Sequence, residues 1–377
     1  MKGKQGLVCM GLLLVLSSCH TGKQITASGL QRKDFQTEVN GQHTDLFTLS
    51  NKQGMEVCIT NYGARVVSIL VPDRNGKRED VVCGFSTITE YMEQRQNFGS
   101  TVGRYIGRIL NARFTLDGVE YKLVPNNGKS GHISHGGNPG FADRIWKVEQ
   151  ADTHRVRLSY LSPDGENGFP GNLKVTLVYS LGEDDNALDL TYEATTDAPT
   201  VLNLSHHSFF NISGNFTKSV EDQQLWVDAD RFTPYDDKKC VTGEYLPVAG
   251  TPLDFRMPHT IGECIDADHP QLKVVNGYDH TWELNTKGDD TRPAAWVYDP
   301  ASGRKMEIFT TEPGMQIYTG NGLKGKMTGK GGIAYPFRSA VGFETMHFQD
   351  SPNQPGFPST VLRPGEVFRS HTVYKFE

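Results

Sequence analysis

Helical periodicity is nearly missing from this chain. Thr87 to Gln96 is the one short stretch that reads as a helix, and strands do not alternate with helices, which excludes a doubly wound parallel sheet. No fixed internal repeat appears, which argues against a propeller. A basic excess is also lacking. Against 44 acidic residues stand 38 Lys and Arg, for a net charge of −6, so there is no electrostatic footprint for nucleic acid and no such partner is expected. Cysteines number six. Cys9 falls in the N-terminal leader and Cys19 directly after it, and the spacings of Cys58, Cys83, Cys240 and Cys264 match no zinc pattern. They read as small buried apolar residues, with any disulfide pairing left open. Gly (40) and Pro (19) are too few and too scattered for a collagen or a low-complexity chain. Long apolar runs are absent: the one from Leu7 to Leu16 is about half of what a spanning helix needs.

That run has a meaning of its own. Lys2 and Lys4 precede it and Ser17-Ser18-Cys19 follow it, the layout of a secretory signal peptide. Leu16-Ser17-Ser18-Cys19 also resembles the lipobox of bacterial lipoproteins, in which the chain is cut before a cysteine that then carries lipid. Residues 1–18 are expected to be a signal peptide and Cys19 the lipidated residue. The polar residues 19–33 read as a flexible tether, holding the protein on a membrane facing the periplasm. An ordinary cleaved signal with an incidental Cys19 is the plainer alternative.

What remains is rich in core-forming residues, with 19 Phe, 14 Tyr and 4 Trp. Leu173, Val175, Leu177, Tyr179 and Leu181 alternate with polar residues. So do Leu188, Leu190 and Tyr192, and Phe368 to Phe376 repeat the period of two. This is the pattern of half-buried antiparallel strands. Turn signals such as Asp117-Gly118 and Pro163-Asp164-Gly165 punctuate it. Residues 34–377 are expected to form one large, all-β, mostly antiparallel β-sandwich.

Two apparent motifs dissolve on inspection. Gly320 to Met327 approaches a phosphate-binding loop, but Met327 stands where the magnesium-binding hydroxyl belongs and no helix can follow. His132 and His135 would need a helix to converge on a metal, which Gly131, Gly136 and Gly137 deny. His206 and His207 are adjacent on a strand and point to opposite faces. His132 and His206 read as structural, and no metal is expected.

The remaining chemistry lies among glycines and aromatics. Six segments carry it, in this order: Gly103 to Ile109 with Arg108, Ser134-His135 to Trp146, Asn203 to Asn211 with His207, Gly277-Tyr278-Asp279-His280, Pro313 to Asn321 with Gln316, and Val341-Gly342-Phe343-Glu344-Thr345. Gln349 to Pro358 follows the last. Together they resemble the aldose 1-epimerase (galactose mutarotase) family over nearly the whole body of the chain.

The resemblance implies a galactose mutarotase-like β-sandwich and an isomerase of free aldohexoses such as glucose and galactose, with no cofactor. It implies Glu344 as base and His207 as acid, with His135 as a further catalytic residue beside the ring oxygen, binding and polarising it, a share in the acid role left open. Arg108, Asp279 and Gln316 would hold sugar hydroxyls. The chemistry agrees: opening a pyranose needs one base on the anomeric hydroxyl and one acid on the ring oxygen. Trp282 stays open between a sugar platform and a core position. The family commonly has an aromatic after Tyr-Thr-Gly-Asn, where this chain has Gly322, which leaves the preferred sugar open. A non-catalytic sugar-binding sandwich would need neither Glu344 nor His207. A sugar-phosphate epimerase would want further Arg or Lys. A glycoside hydrolase needs two carboxylates flanking one bond, for which Glu344 and Asp279 are the available pair.

Overall fold

The computed structural model describes residues 25–377, so the leader and Cys19 lie outside the described residues. The body is built from antiparallel sheets. The largest has nine strands, and its centre is the alternating segments already noted. Leu173–Leu181 pairs with Ala187–Thr196, which pairs with Phe368–Phe376. In each, every second residue is buried, because a strand turns successive side chains to opposite faces. A six-stranded sheet contains Val341–Met346, Gly314–Tyr318 and Asp279–Glu283 side by side. A four-stranded sheet spans Leu46–Ser50 to Arg78–Asp80.

One apolar core joins these layers. Leu177, Leu190 and Tyr374 meet Trp282, Met315, Ile317 and Phe343 within it. Trp282 is therefore a core residue and not a sugar platform. It is fully buried, and its indole Nε1–H donates to the Leu253 carbonyl at 3.1 Å. Helices are few and short. Ile88–Gln94 is an α-helix capped by Thr87, whose side chain accepts from the Glu90 N–H while the Glu90 carboxylate accepts from the Thr87 N–H. The helix expected over Thr87 to Gln96 is thus present and slightly shorter. Among the described residues no helix is long and apolar enough to cross a membrane.

The described cysteines are all free thiols; Cys58 and Cys83 are buried, Cys240 and Cys264 half-buried. The start of the described chain departs from expectation. Residues 25–33, read from sequence as part of a tether, are docked on the four-stranded sheet. The N–H groups of Ala27 and Ser28 donate to the buried carboxylate of Glu56 at 3.0 and 3.1 Å. Leu30 and Phe35 are buried behind them. A buried carboxylate needs such donors, and this polar segment supplies them from its backbone.

Candidate active site

Three neighbouring strands build one wall of a cleft. Their register sets Thr281 opposite Gln316 and Gln316 opposite Glu344, with Asp279 opposite Tyr318. With a period of two, Asp279, Gln316, Tyr318, Glu344 and Met346 face the cleft. Trp282, Met315, Ile317 and Phe343 face the core. One alternation thus divides chemistry from packing.

The opposite wall comes from two tied segments. Ser205–His207 pairs with Ser100–Val102. This strand sends His206 inward, where its Nε2 meets the Ser208 hydroxyl at 2.7 Å, and sends His207 into the cleft. Arg108–Ile109 pairs with Ile133–Ser134. The His135 N–H donates to the Gly107 carbonyl at 2.9 Å, and the Gly107 N–H donates back to His135 Nδ1 at 3.4 Å. The turn beyond His135 requires glycine. Gly136 has φ +78°, and a β-carbon there would stand 1.9 Å from the Gly103 carbonyl oxygen. His132 lies away from the cleft lining, its Nδ1 accepting from the Asn111 N–H at 2.9 Å and its Nε2 3.3 Å from Cys240 Sγ.

All six residues expected at the site, Arg108, His135, His207, Asp279, Gln316 and Glu344, line a single cavity of about 280 Å³. At its centre His207 Nε2 stands 3.2 Å from Glu344 Oε1, both side chains buried. The His207 ring is stacked on Phe209 at 5.1 Å, and Phe209 abuts Tyr318. Burial acts on both partners. It raises the Glu344 carboxyl well above its usual range, with the charge of Asp279 adding to the effect. It drives the His207 imidazolium well below its usual value, and His135 adds to that. The pair therefore shares one proton over a wide span of pH.

His135 is pushed down to about 4 by burial and by the charge of Arg108. It is neutral at pH 7, and because Nδ1 accepts from Gly107, its proton sits on Nε2. Its ring centre lies 5.4 Å from that of His207. Burial also raises Asp279, and Arg108 opposes this.

Gln316 is fully engaged with its neighbours. Its Nε2–H donates to Asp279 Oδ1 at 2.6 Å, and its Oε1 accepts from the Thr281 hydroxyl. Sequence reasoning missed Tyr235, Asn97 and Tyr318. The Tyr235 hydroxyl accepts from Gln349 Nε2 at 2.7 Å and from Gln316 Nε2 at 3.4 Å, locking that wall. The hydroxyl of Tyr318 accepts the Gly322 N–H, so the position without an aromatic side chain is tied to the tyrosine that does line the cleft. Asp350 steadies the other wall: its carboxylate accepts the Leu110 N–H at 2.9 Å and its own N–H reaches the Arg108 carbonyl at 2.8 Å.

A sequence model of the aldose 1-epimerase family matches residues 45–375. The chain is 38% identical to a galactose mutarotase from Sus scrofa over 88% of its own length and 93% of that protein. It is 36% identical to an aldose 1-epimerase from Escherichia coli (strain K12), covering 89% of this chain and 96% of the other. Among solved structures, a Caenorhabditis elegans aldose epimerase homologue superposes with a TM-score of 0.81 at 31% identity, over 89% of this chain and 99% of that one.

Proposed function

This chain belongs to the aldose 1-epimerase family and is an isomerase, a mutarotase, and from that premise we propose how its cleft acts and on what. The substrates are free aldohexoses, with glucose and galactose foremost. Glu344 takes the proton of the anomeric hydroxyl while His207 delivers one to the ring oxygen. The ring opens, the C1–C2 bond rotates, and the two groups exchange roles as the ring recloses on the other face of the aldehyde. The observation that carries this reading is the 3.2 Å contact between Glu344 and His207. The anomeric hydroxyl and the ring oxygen sit on one carbon, so a base for the first and an acid for the second belong in one small space, as these two groups are.

Burial serves the chemistry. Ring opening starts from the carboxylate–imidazolium arrangement of the shared proton, the less favoured one in this buried site, and ends with carboxylic acid and imidazole, so the open-chain stage leaves both groups uncharged. Those are the forms that burial favours. His135, neutral with Nε2–H as donor, polarises the ring oxygen without competing for the proton. Arg108 and Asp279 grip hydroxyls through charge-assisted hydrogen bonds. Gln316 is a positioning residue, holding Asp279 in place. Polarimetry on freshly dissolved α-glucose and α-galactose tests the reading. The purified domain should speed equilibration of at least one; the buffer-only rate for both and for other common aldoses would overturn it.

For location, the reading is a lipoprotein anchored through Cys19 to a membrane facing the periplasm. The run Leu7 to Cys19 supports it, and one cysteine carrying two or three acyl chains holds firmly. A Cys19→Ala variant should partition into the aqueous phase or remain uncleaved. Fractionation and maturation identical to the parent would overturn the anchor.

A further inference from the structure

His207 turns Nε2 to Glu344, while its Nδ1 is buried with no hydrogen-bond partner among the described residues. An imidazole that works in acid–base chemistry commonly has its second nitrogen held by a carbonyl or carboxylate, which sets the ring plane. Here an aromatic ring takes that place. Phe209 follows His207 by two residues, so both side chains leave one face of the chain. His206 and Ser208 share the other face and touch each other at 2.7 Å. The rings of His207 and Phe209 are near-parallel, 27° apart with centres at 5.1 Å. The His135 ring meets His207 at a steep 77°.

Phe209 is itself held on every side. Its carbonyl accepts the Cys83 N–H at 2.8 Å, and its backbone pairs opposite Gly342, two residues before Glu344. The ring that steadies the acid is thus tied to the strand that carries the base. Phe98 and Tyr318 meet the Phe209 ring almost at right angles, at 84° and 89°, with centres 5.1 and 5.7 Å away, a favoured aromatic arrangement. Tyr318 depends in turn on Gly322. A β-carbon at 322 would stand 2.7 Å from the Tyr318 hydroxyl, which accepts the Gly322 N–H. Any side chain there would displace the tyrosine, so the lack of an aromatic at 322 is what gives Tyr318 its place.

We infer that Phe209 is a positioning residue for His207, its ring face setting the imidazole plane where no hydrogen bond does, and that Gly322 belongs to the same device by letting Tyr318 brace that ring. This rests on the mutarotase mechanism above. The test is mutarotation of glucose and galactose across pH by the parent, Phe209→Leu, Phe209→Tyr and Gly322→Ala. Leucine removes the flat face and tyrosine keeps it. Gly322 is exposed and outside the cleft lining. Phe209→Leu should lower kcat by about 10–10²-fold with KM within about twofold, Phe209→Tyr should stay within about threefold of the parent, and Gly322→Ala should lose about three- to tenfold in kcat. The groups that act on His207 are Glu344, His135, His206 and Arg65, and all stay in place in these variants. Loss of the ring face admits water to an imidazolium that burial holds down, so the acid limb of kcat/KM should move to higher pH in Phe209→Leu. Parental kcat in Phe209→Leu, equal losses in the leucine and tyrosine variants, an unmoved acid limb, or a raised KM with kcat intact overturns the positioning role. If Phe209→Leu does not fold, Gly322→Ala decides, and parental kcat there overturns the inference. Each of these outcomes leaves the parent active. A parent that accelerates neither sugar overturns the mechanism, and the inference with it.

Discussion

Under the proposed mechanism Glu344 and His207, 3.2 Å apart, form a unit whose parts should fail together. Glu344→Gln keeps shape and hydrogen-bonding capacity but cannot take a proton, and His207→Asn cannot deliver one. Each should lower kcat by about 10²–10⁴-fold with little change in sugar binding, and the double variant should fall far short of the product of the two. Steady-state kinetics of the three variants decide it. More than about a tenth of parental turnover in Glu344→Gln would remove Glu344 as the base. The shared proton sets the pH profile. Below the lowered value of His207 the pair holds two protons, and above the raised value of Glu344 it holds none; between them it holds the one that catalysis uses. Activity should therefore run level through pH 6.5, with the acid limb well below that value and the alkaline limb set by Glu344. A kcat/KM profile with an inflection at the ordinary imidazole value would contradict this. At this scale the residues that meet in the cleft were legible because each lies in a short, glycine- or aromatic-rich segment and the six segments, in order, resemble one family. Asn97 and Tyr235 were not, because one amide or phenol in a loop looks like any other until the fold sets its neighbours.

Among the elements, the strands were the most readable part, and for one reason. The period of two that separates Trp282 from Asp279 and Thr281 is the same one that makes a strand recognisable. It also settles the role of Trp282, left open in sequence: it falls on the core face once Asp279 is placed in the cleft. The loops were not readable, since their shape depends on contacts far along the chain. Gly136 is the sharpest case. Its φ of +78° and the 1.9 Å approach to Gly103 leave no space for a side chain. Gly136→Ala should cost about 3 kcal/mol or more from strain and displaced backbone, and should raise KM because His135 enters that turn and Arg108 lies on the strand paired just before it. Urea unfolding and steady-state kinetics check the two effects separately; an unchanged midpoint with unchanged KM would show that the turn relaxes freely.

Across the whole molecule, the N-terminal segment was the misread part. Residues 25–33 have too few apolar side chains to advertise burial, and their stability comes from backbone N–H groups meeting a carboxylate nearly 30 residues away, which leaves no periodic trace. A chain beginning at Gln36 would lose the burial of Leu30 and Phe35 and uncover Glu56. It should be less stable by about 3–6 kcal/mol yet retain the catalytic contact, so that urea midpoint and low-temperature activity part company. An unchanged midpoint would mean that the segment only rests on the sheet. Under the proposed anchor at Cys19, the same clasp would also limit how far the enzyme could stray. With Cys19 acylated, the leash comprises only residues 20–24, about 20 Å at full stretch. Such an enzyme would skim the headgroups, drifting in two dimensions, and would meet sugars at the moment they emerge at that surface.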